Sequence, residues 1–259
     1  MKKLILAAGC LLLLSSASFA VDWGTISGRI VLDEKAAPEP ALLFKKGAAE
    51  KDPAVCSAAD VFKEDLVVNK DNLGVANIFV YLYKAPKDIH PDEKFDPKVD
   101  SKKNPKIVYF DQKDCIYKPR ALFVQAGQTV QVLNADPVVH NTQTSSFKNP
   151  QYNFTIGAGS REGDGVDYAL PSDERTPFEV KCSFHTHMFA YWLVKDHPYA
   201  AVTDKDGKFT IKNLPVGEHE FRVWHERPGY LSRKYAVEVK KGDQELPELK
   251  FKLAEFSDD

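Results

Sequence analysis

Apolar and polar residues alternate along this chain with a period of two far more often than with the 3.6-residue period of a helix. The alternation is clear over residues 24–32 (GTISGRIVL). It recurs at 76–83 (ANIFVYLY), 129–134 (TVQVLN), 177–182 (PFEVKC), 208–214 (KFTIKNL), 219–224 (HEFRVW) and 235–240 (YAVEVK). Successive side chains of a strand point to opposite faces, so each run predicts a strand. One short helix is predicted over 57–65 (SAADVFKED), with Ser57 as its N-cap. The expected class is all-β, built as two sandwiches. Residues 84–106 are charged and proline-rich with no apolar period, and predict an exposed connection.

The N-terminus has a different pattern. Met1-Lys2-Lys3 precedes an apolar run at 4–14 (LILAAGCLLLL), and Ser18-Phe19-Ala20 is a small-x-small cleavage signal. Residues 1–20 therefore predict a secretory signal peptide cut after Ala20, because the apolar run is too short to span a bilayer. Ala8-Gly9-Cys10 is a poor lipoprotein box, since the apolar run continues beyond the cysteine. With no other spanning run, the expectation is an exported, periplasmic or secreted protein without a membrane span. At 43% hydrophobic and 28% charged, 259 residues can bury a core. A net charge of −2 without a basic block argues against nucleic acid as partner. Beyond the leader lie Cys56, Cys115 and Cys182. In an oxidising compartment three cysteines make one disulfide and leave one odd thiol, and a metal is a common reason for such a thiol.

Chemistry concentrates near residue 182. Phe178, Val180 and Cys182 share one parity, so Cys182 points with the apolar residues. The loop that follows runs Cys182-Ser183-Phe184-His185-Thr186-His187-Met188, a C-x-x-H-x-x-M pattern that gathers a thiolate, an imidazole and a thioether. Upstream, the strand ending at Asn134 leads through Asp136-Pro137 to a second imidazole, His140. Two His, one Cys and one weak Met form the ligand set of a blue-copper centre. The soft thiolate couples to copper, the imidazoles serve both oxidation states, and the thioether favours Cu(I). His187 is a possible extra ligand or a surface residue near the site. A cysteine hydrolase is not signalled, since neither an oriented base nor an oxyanion hole is apparent. Asp204-Lys205-Asp206-Gly207 lacks the later carboxylate of a calcium loop and predicts a hairpin turn.

Residues 105–197 resemble a cupredoxin. The resemblance rests on Tyr117-Lys118-Pro119, Val124-Gln125-Ala126-Gly127-Gln128-Thr129-Val130, Asn134-Ala135-Asp136, His140, the Cys182–Met188 loop and the closing Tyr191-Trp192-Leu193-Val194. The loop spacing is similar to that of amicyanin-type cupredoxins. The resemblance implies one type 1 copper, with His140, Cys182 and His185 equatorial and Met188 axial. It gives Asn141 the role of hydrogen-bonding the cysteine loop. The chain departs from the family at Cys115, where an aromatic is common: Cys115 is expected to pair with Cys56, which leaves Cys182 free. The resemblance also implies that electrons pass through the solvent-near edge of His185.

A second resemblance brackets the first. Thr203-Asp204-Lys205-Asp206-Gly207-Lys208-Phe209 and Leu214-Pro215-Val216-Gly217 are similar to a carboxypeptidase regulatory-like, or transthyretin-like, β-sandwich. Its opening strands have counterparts at Gly24–Gly28 and Gly74–Val80. The implied organisation is a discontinuous outer sandwich, 21–104 and 198–259, with the cupredoxin inserted in it. The resulting expectation is an electron carrier, not an enzyme, passing single electrons between periplasmic proteins, with the outer sandwich as a docking module. Multicopper oxidase chemistry is disfavoured because Lys181 and Ser183, not histidines, flank Cys182. A binuclear purple-copper site would need a second cysteine in the loop. The alternative function is a binding or scaffold protein that stores copper or holds none.

Overall fold

The computed structural model describes residues 21–99 and 105–257. The leader expected at 1–20 and its expected cut after Ala20 lie outside the described residues. No described helix is long and apolar enough to cross a membrane.

Nearly all the order is β. Strand Trp23–Leu32 alternates between buried and half-exposed positions, with Ile26 and Ile30 fully buried. It pairs antiparallel with Lys208–Pro215 and parallel with Gly242–Glu245 and Leu249–Phe251. A second antiparallel sheet runs in the order Ala200–Val202, Phe79–Leu82, Gly217–His225, Gly229–Val239. The core shared by these two sheets includes Ile26, Ile30, Val80, Ile211, Phe221 and Val223.

A separate pair of sheets forms between residues 107 and 195. One has the order Asn153–Ile156, His140–Thr144, Phe178–Lys181, Phe189–Lys195, Ala121–Gln125, the last two strands being parallel. The other has the order Val166–Ala169, Thr129–Val132, Ile107–Lys113, Ile116–Lys118. Phe110, Tyr117, Val130, Tyr168 and Trp192 fill the space between them. Among the described residues no sheet mixes strands from the two pairs.

Side-chain packing joins the two sandwiches. Val80 and Leu82 face the first core, while Phe79 and Tyr81 turn outward onto Trp224, Ala121 and Leu193. With both faces covered, this strand is apolar throughout. Arg120 and Glu226 add a bidentate pair beside this contact, at 2.5 and 2.6 Å.

Three local expectations are corrected. The helix predicted at 57–65 is instead a single turn, Pro53–Cys56. Ser57 ends that turn, with its hydroxyl donating to Pro53 O and accepting from Ala49 N. Residues 61–62 form a short strand against Leu42–Phe44. The turn at 204–207 is a corner and not a hairpin, since it joins strands of different sheets. Asp204 Oδ1 accepts from the N–H groups of Asp206 and Lys208, and Gly207 sits at φ +74°. A Cβ on Gly207 would lie 2.2 Å from Ile30 O, so the close approach of the two strands requires glycine there. Finally, residues 84–99 are mostly exposed as predicted, but they are pinned. His90 N donates to Tyr199, Phe95 N to Gln125, and Asn213 to Glu93.

Candidate metal centre

Two adjacent strands deliver the predicted ligands to one end of the second sandwich. Phe178–Lys181 pairs with His140–Thr144 through Val180 with Thr144 and Lys181 with Gln143. Cys182 therefore leaves one strand beside the point where His140 enters the next. The Cys182–Met188 loop is closed by its own backbone: Cys182 N donates to Met188 O at 3.2 Å, and Met188 N to His185 O at 2.9 Å. His140, Cys182, His185 and Met188 are all buried, at 0–2% exposure.

One donor atom each from His140, Cys182 and His185 lies within 4.8 Å of the other two. His140 Nδ1 is 3.0 Å from His185 Nδ1, and His185 Nδ1 is 3.8 Å from Cys182 Sγ. Each imidazole is anchored at its far nitrogen. His140 Nε2 meets Asp136 Oδ2 at 2.8 Å, and His185 Nε2 meets Asp52 Oδ2 at 2.8 Å. Asp136 is itself fixed by the N–H groups of Asp114 and Cys115, at 2.6 and 2.8 Å.

These contacts set the charge states. Burial opposes the Asp136 carboxylate, but hydrogen bonds from His140 and the Cys115 and Asp114 amides hold it below the ordinary carboxyl range. Burial would push the Cys182 thiol up. His140 and the amides of Asn141, His185 and Phe184 outweigh it and favour the thiolate. Burial lowers His140, yet Asp136 and Cys182 reverse the balance and raise it. His185 is lowered by burial, with Asp52 opposing that shift.

The donor set fits a metal ion. When each Nε2–H is donated to a carboxylate, both Nδ1 atoms present lone pairs, and lone pairs 3.0 Å apart repel without a proton or cation between them. Imidazole nitrogens sharing one ion at about 2.0–2.1 Å stand about 3 Å apart at ordinary ligand angles. A thiolate with two imidazoles suits copper, and carboxylates behind metal-bound histidines are the usual means of fixing their orientation.

The remaining predicted residues divide. Asn141 donates its N–H to Cys182 Sγ at 3.4 Å, and its side-chain oxygen accepts from Ser183 N. Its own carbonyl accepts from Tyr117 OH at 2.7 Å. Cys56 and Cys115 form a disulfide, and Cys182 is a free, buried thiol. His187 belongs to none of the close ligand groups among the described residues. It is half-buried edge-on to Phe44, with a buried Nε2 that has no partner. It lines a cavity of about 490 Å³ together with His185, Met188, Phe44, Phe62 and Arg120.

One expectation is overturned. His185 has no solvent-near edge: it is 2% exposed, and Asp52 covers its outer nitrogen. Asp136 could have been found from its place in the Asn-x-Asp stretch, four residues before His140. Asp52 carries no such signal, because it comes from a distant segment that only the fold brings in.

No family model and no curated protein sequence matches the chain. Among solved structures it is similar to a Cu-containing nitrite reductase (NirK) from Thermus scotoductus SA-01. The identity is 18% over 35% of this chain and 22% of that one, with a TM-score of 0.30. This chain thus spans about a fifth of that protein's length. It is similar to a reduced mutant of amicyanin at 15% identity, over 35% of this chain and 83% of that one, TM-score 0.30. It is also similar to a purple cupredoxin from Nitrosopumilus maritimus at 20% identity, over 34% and 98% of the two chains, TM-score 0.28. Each of these likenesses covers about a third of this chain.

Proposed function

We propose that this chain is an exported, mononuclear type 1 copper protein that carries single electrons between protein partners and is not itself an enzyme. The observation that carries the reading is the convergence of His140 Nδ1, His185 Nδ1 and the Cys182 sulfur in a buried site, with the outer nitrogen of each imidazole held by a carboxylate. Copper held there would supply one-electron chemistry, cycling between Cu(II) and Cu(I). The chain's own residues do the rest. Asn141 N–H steadies the thiolate, Asp136 and Asp52 fix the rings, and burial excludes water. Met188, buried and adjoining Cys182 through the loop hydrogen bond, would supply a weak fourth donor to the copper. A site that holds the same donors in both oxidation states moves little on transfer. The Cys56–Cys115 disulfide favours an oxidising compartment. The outer sandwich, read as a regulatory-like module, is the proposed scaffold and docking surface.

The test is a Cu(II) titration followed by visible absorption and then reduction, beside Cys182→Ala. An intense thiolate-to-copper band that disappears on reduction and never forms in the variant is expected. A protein that binds Cu(I) alone without colour, or no copper, would sink the carrier reading and leave a storage or binding role.

A further inference from the structure

We propose that Asp52 is the positioning residue for His185, and that the Cys56–Cys115 disulfide holds Asp52 in place. Asp52 occupies the N-cap position of the Pro53–Cys56 turn, where an aspartate ordinarily accepts a hydrogen bond from the turn's own amides. It makes no such bond. Its carboxylate turns away instead and takes His185 Nε2 at 2.8 Å. The backbone that permits this is left-handed, φ 49° and ψ 47°, a conformation that aspartate tolerates better than most residues.

The turn bearing Asp52 ends at Cys56, which is bonded to Cys115. The Cys115 amide donates to Asp136 Oδ2, the same oxygen that meets His140 Nε2. A single chain of contacts therefore runs from His140 through Asp136, Cys115, the disulfide and the 53–56 turn to Asp52 and His185. The disulfide is its only covalent step between the two segments, and it sets the spacing of the two carboxylates that orient the two imidazoles. Cutting it would free Asp52 while leaving every proposed ligand present.

The primary readout needs no metal. In the metal-free protein, long-range nitrogen–proton NMR should show His185 as a single Nε2–H tautomer whose ring proton exchanges slowly with water. Asp52→Ala, with its disulfide intact, should give a mixed tautomer and fast exchange. Asp52→Asn keeps an oxygen acceptor and should restore the single tautomer. Cys56→Ser with Cys115→Ser should reproduce the alanine result although Asp52 is present. A His185 that keeps its single, slowly exchanging tautomer in Asp52→Ala would overturn the proposal. So would one that keeps it in the serine pair, as to the disulfide's part.

The copper readout rests on the function proposed above. Asp52→Ala should retain the thiolate–copper band but lose copper to a chelator about 10–100-fold faster, the size expected for removing a carboxylate behind a metal-bound histidine. An unchanged loss rate would count against the proposal. If the wild-type protein shows no band while the tautomer still depends on Asp52, the copper reading fails and the positioning role stands.

Discussion

His197 shows how a single side chain can tie stability to pH. It is fully buried, its Nε2–H donates to Leu82 O at 3.1 Å, and its Nδ1 accepts from Tyr199 N at 3.2 Å. The neutral ring is fully satisfied, so a second proton would displace the Tyr199 contact. Burial, aided by the charge of Lys195, pushes its pKa down to about 4. The unfolded chain takes up this proton near 6.5, ahead of the folded one. The stability from His197 is therefore complete above about pH 6.5 and is lost as pH falls toward 4, about 3 kcal/mol in all. Urea midpoints measured across that window should fall steeply for the wild-type protein. His197→Asn should flatten the slope by about one proton; an unchanged slope would assign the dependence elsewhere. Legibility at this scale follows sequence distance. Cys182, His185 and Met188 share one loop, and His140 follows six residues after the recognisable strand that ends at Asn134, so their spacing exposes them. Asp52 acts across 133 positions with no pattern of its own, and nothing local marks it.

Between elements, backbone crossings impose the strictest demands. Gly207 and Gly47 have nearly the same dihedral, φ +74° and +76°, but only Gly207 is crowded. Gly47→Ala should carry only the left-handed penalty, about 1 kcal/mol. Gly207→Ala adds a clash with Ile30 O and should cost roughly 2–4 kcal/mol. Denaturant unfolding of the two variants compares them directly, and equal losses would refute the crowding argument. Most of the predicted strands were legible because they bury one face in alternation, whereas Phe79–Leu82 is buried on both faces. The 57–65 helix was not correctly legible because its composition suits a helix, whereas tertiary contacts decide the segment. Cys56 must reach Cys115, and Val61 pairs with Phe44. The corner at 204–207 was recognisable as a turn, but whether a turn folds back in one sheet or crosses to another depends on packing that no short motif encodes.

Across the whole molecule, the joint between the sandwiches holds a charge pair that is nearly dry. The Arg120 and Glu226 side chains are 12% and 8% exposed. Removing Arg120 leaves a buried carboxylate unpartnered, so Arg120→Ala should cost about 3 kcal/mol. Arg120→Ala with Glu226→Ala should cost clearly less than the sum of the single variants, because neither charge is then stranded. A four-member unfolding cycle with additive losses would contradict this. The β-sandwich class was foreshadowed by the period-two alternation of the sequence. The faces that meet were not, since an apolar strand such as Phe79–Leu82 does not say which partner covers its second side.

The Asp52 contact also has a consequence for inheritance. Residues 105–197 contain every proposed ligand, and as a gene fragment they would look like a portable unit. Moved to another host protein, that fragment would leave Asp52 behind and expose the outer nitrogen of His185. It would also carry Cys115 without Cys56, an orphan thiol in the same sandwich as Cys182. The proposed ligand loop and the distant turn that meets His185 would thus have to be moved together. A sequence keeping C-x-x-H-x-x-M but losing the Asp-Pro-Ala-Val-Cys stretch at 52–56 would lack the carboxylate that meets His185 Nε2 here.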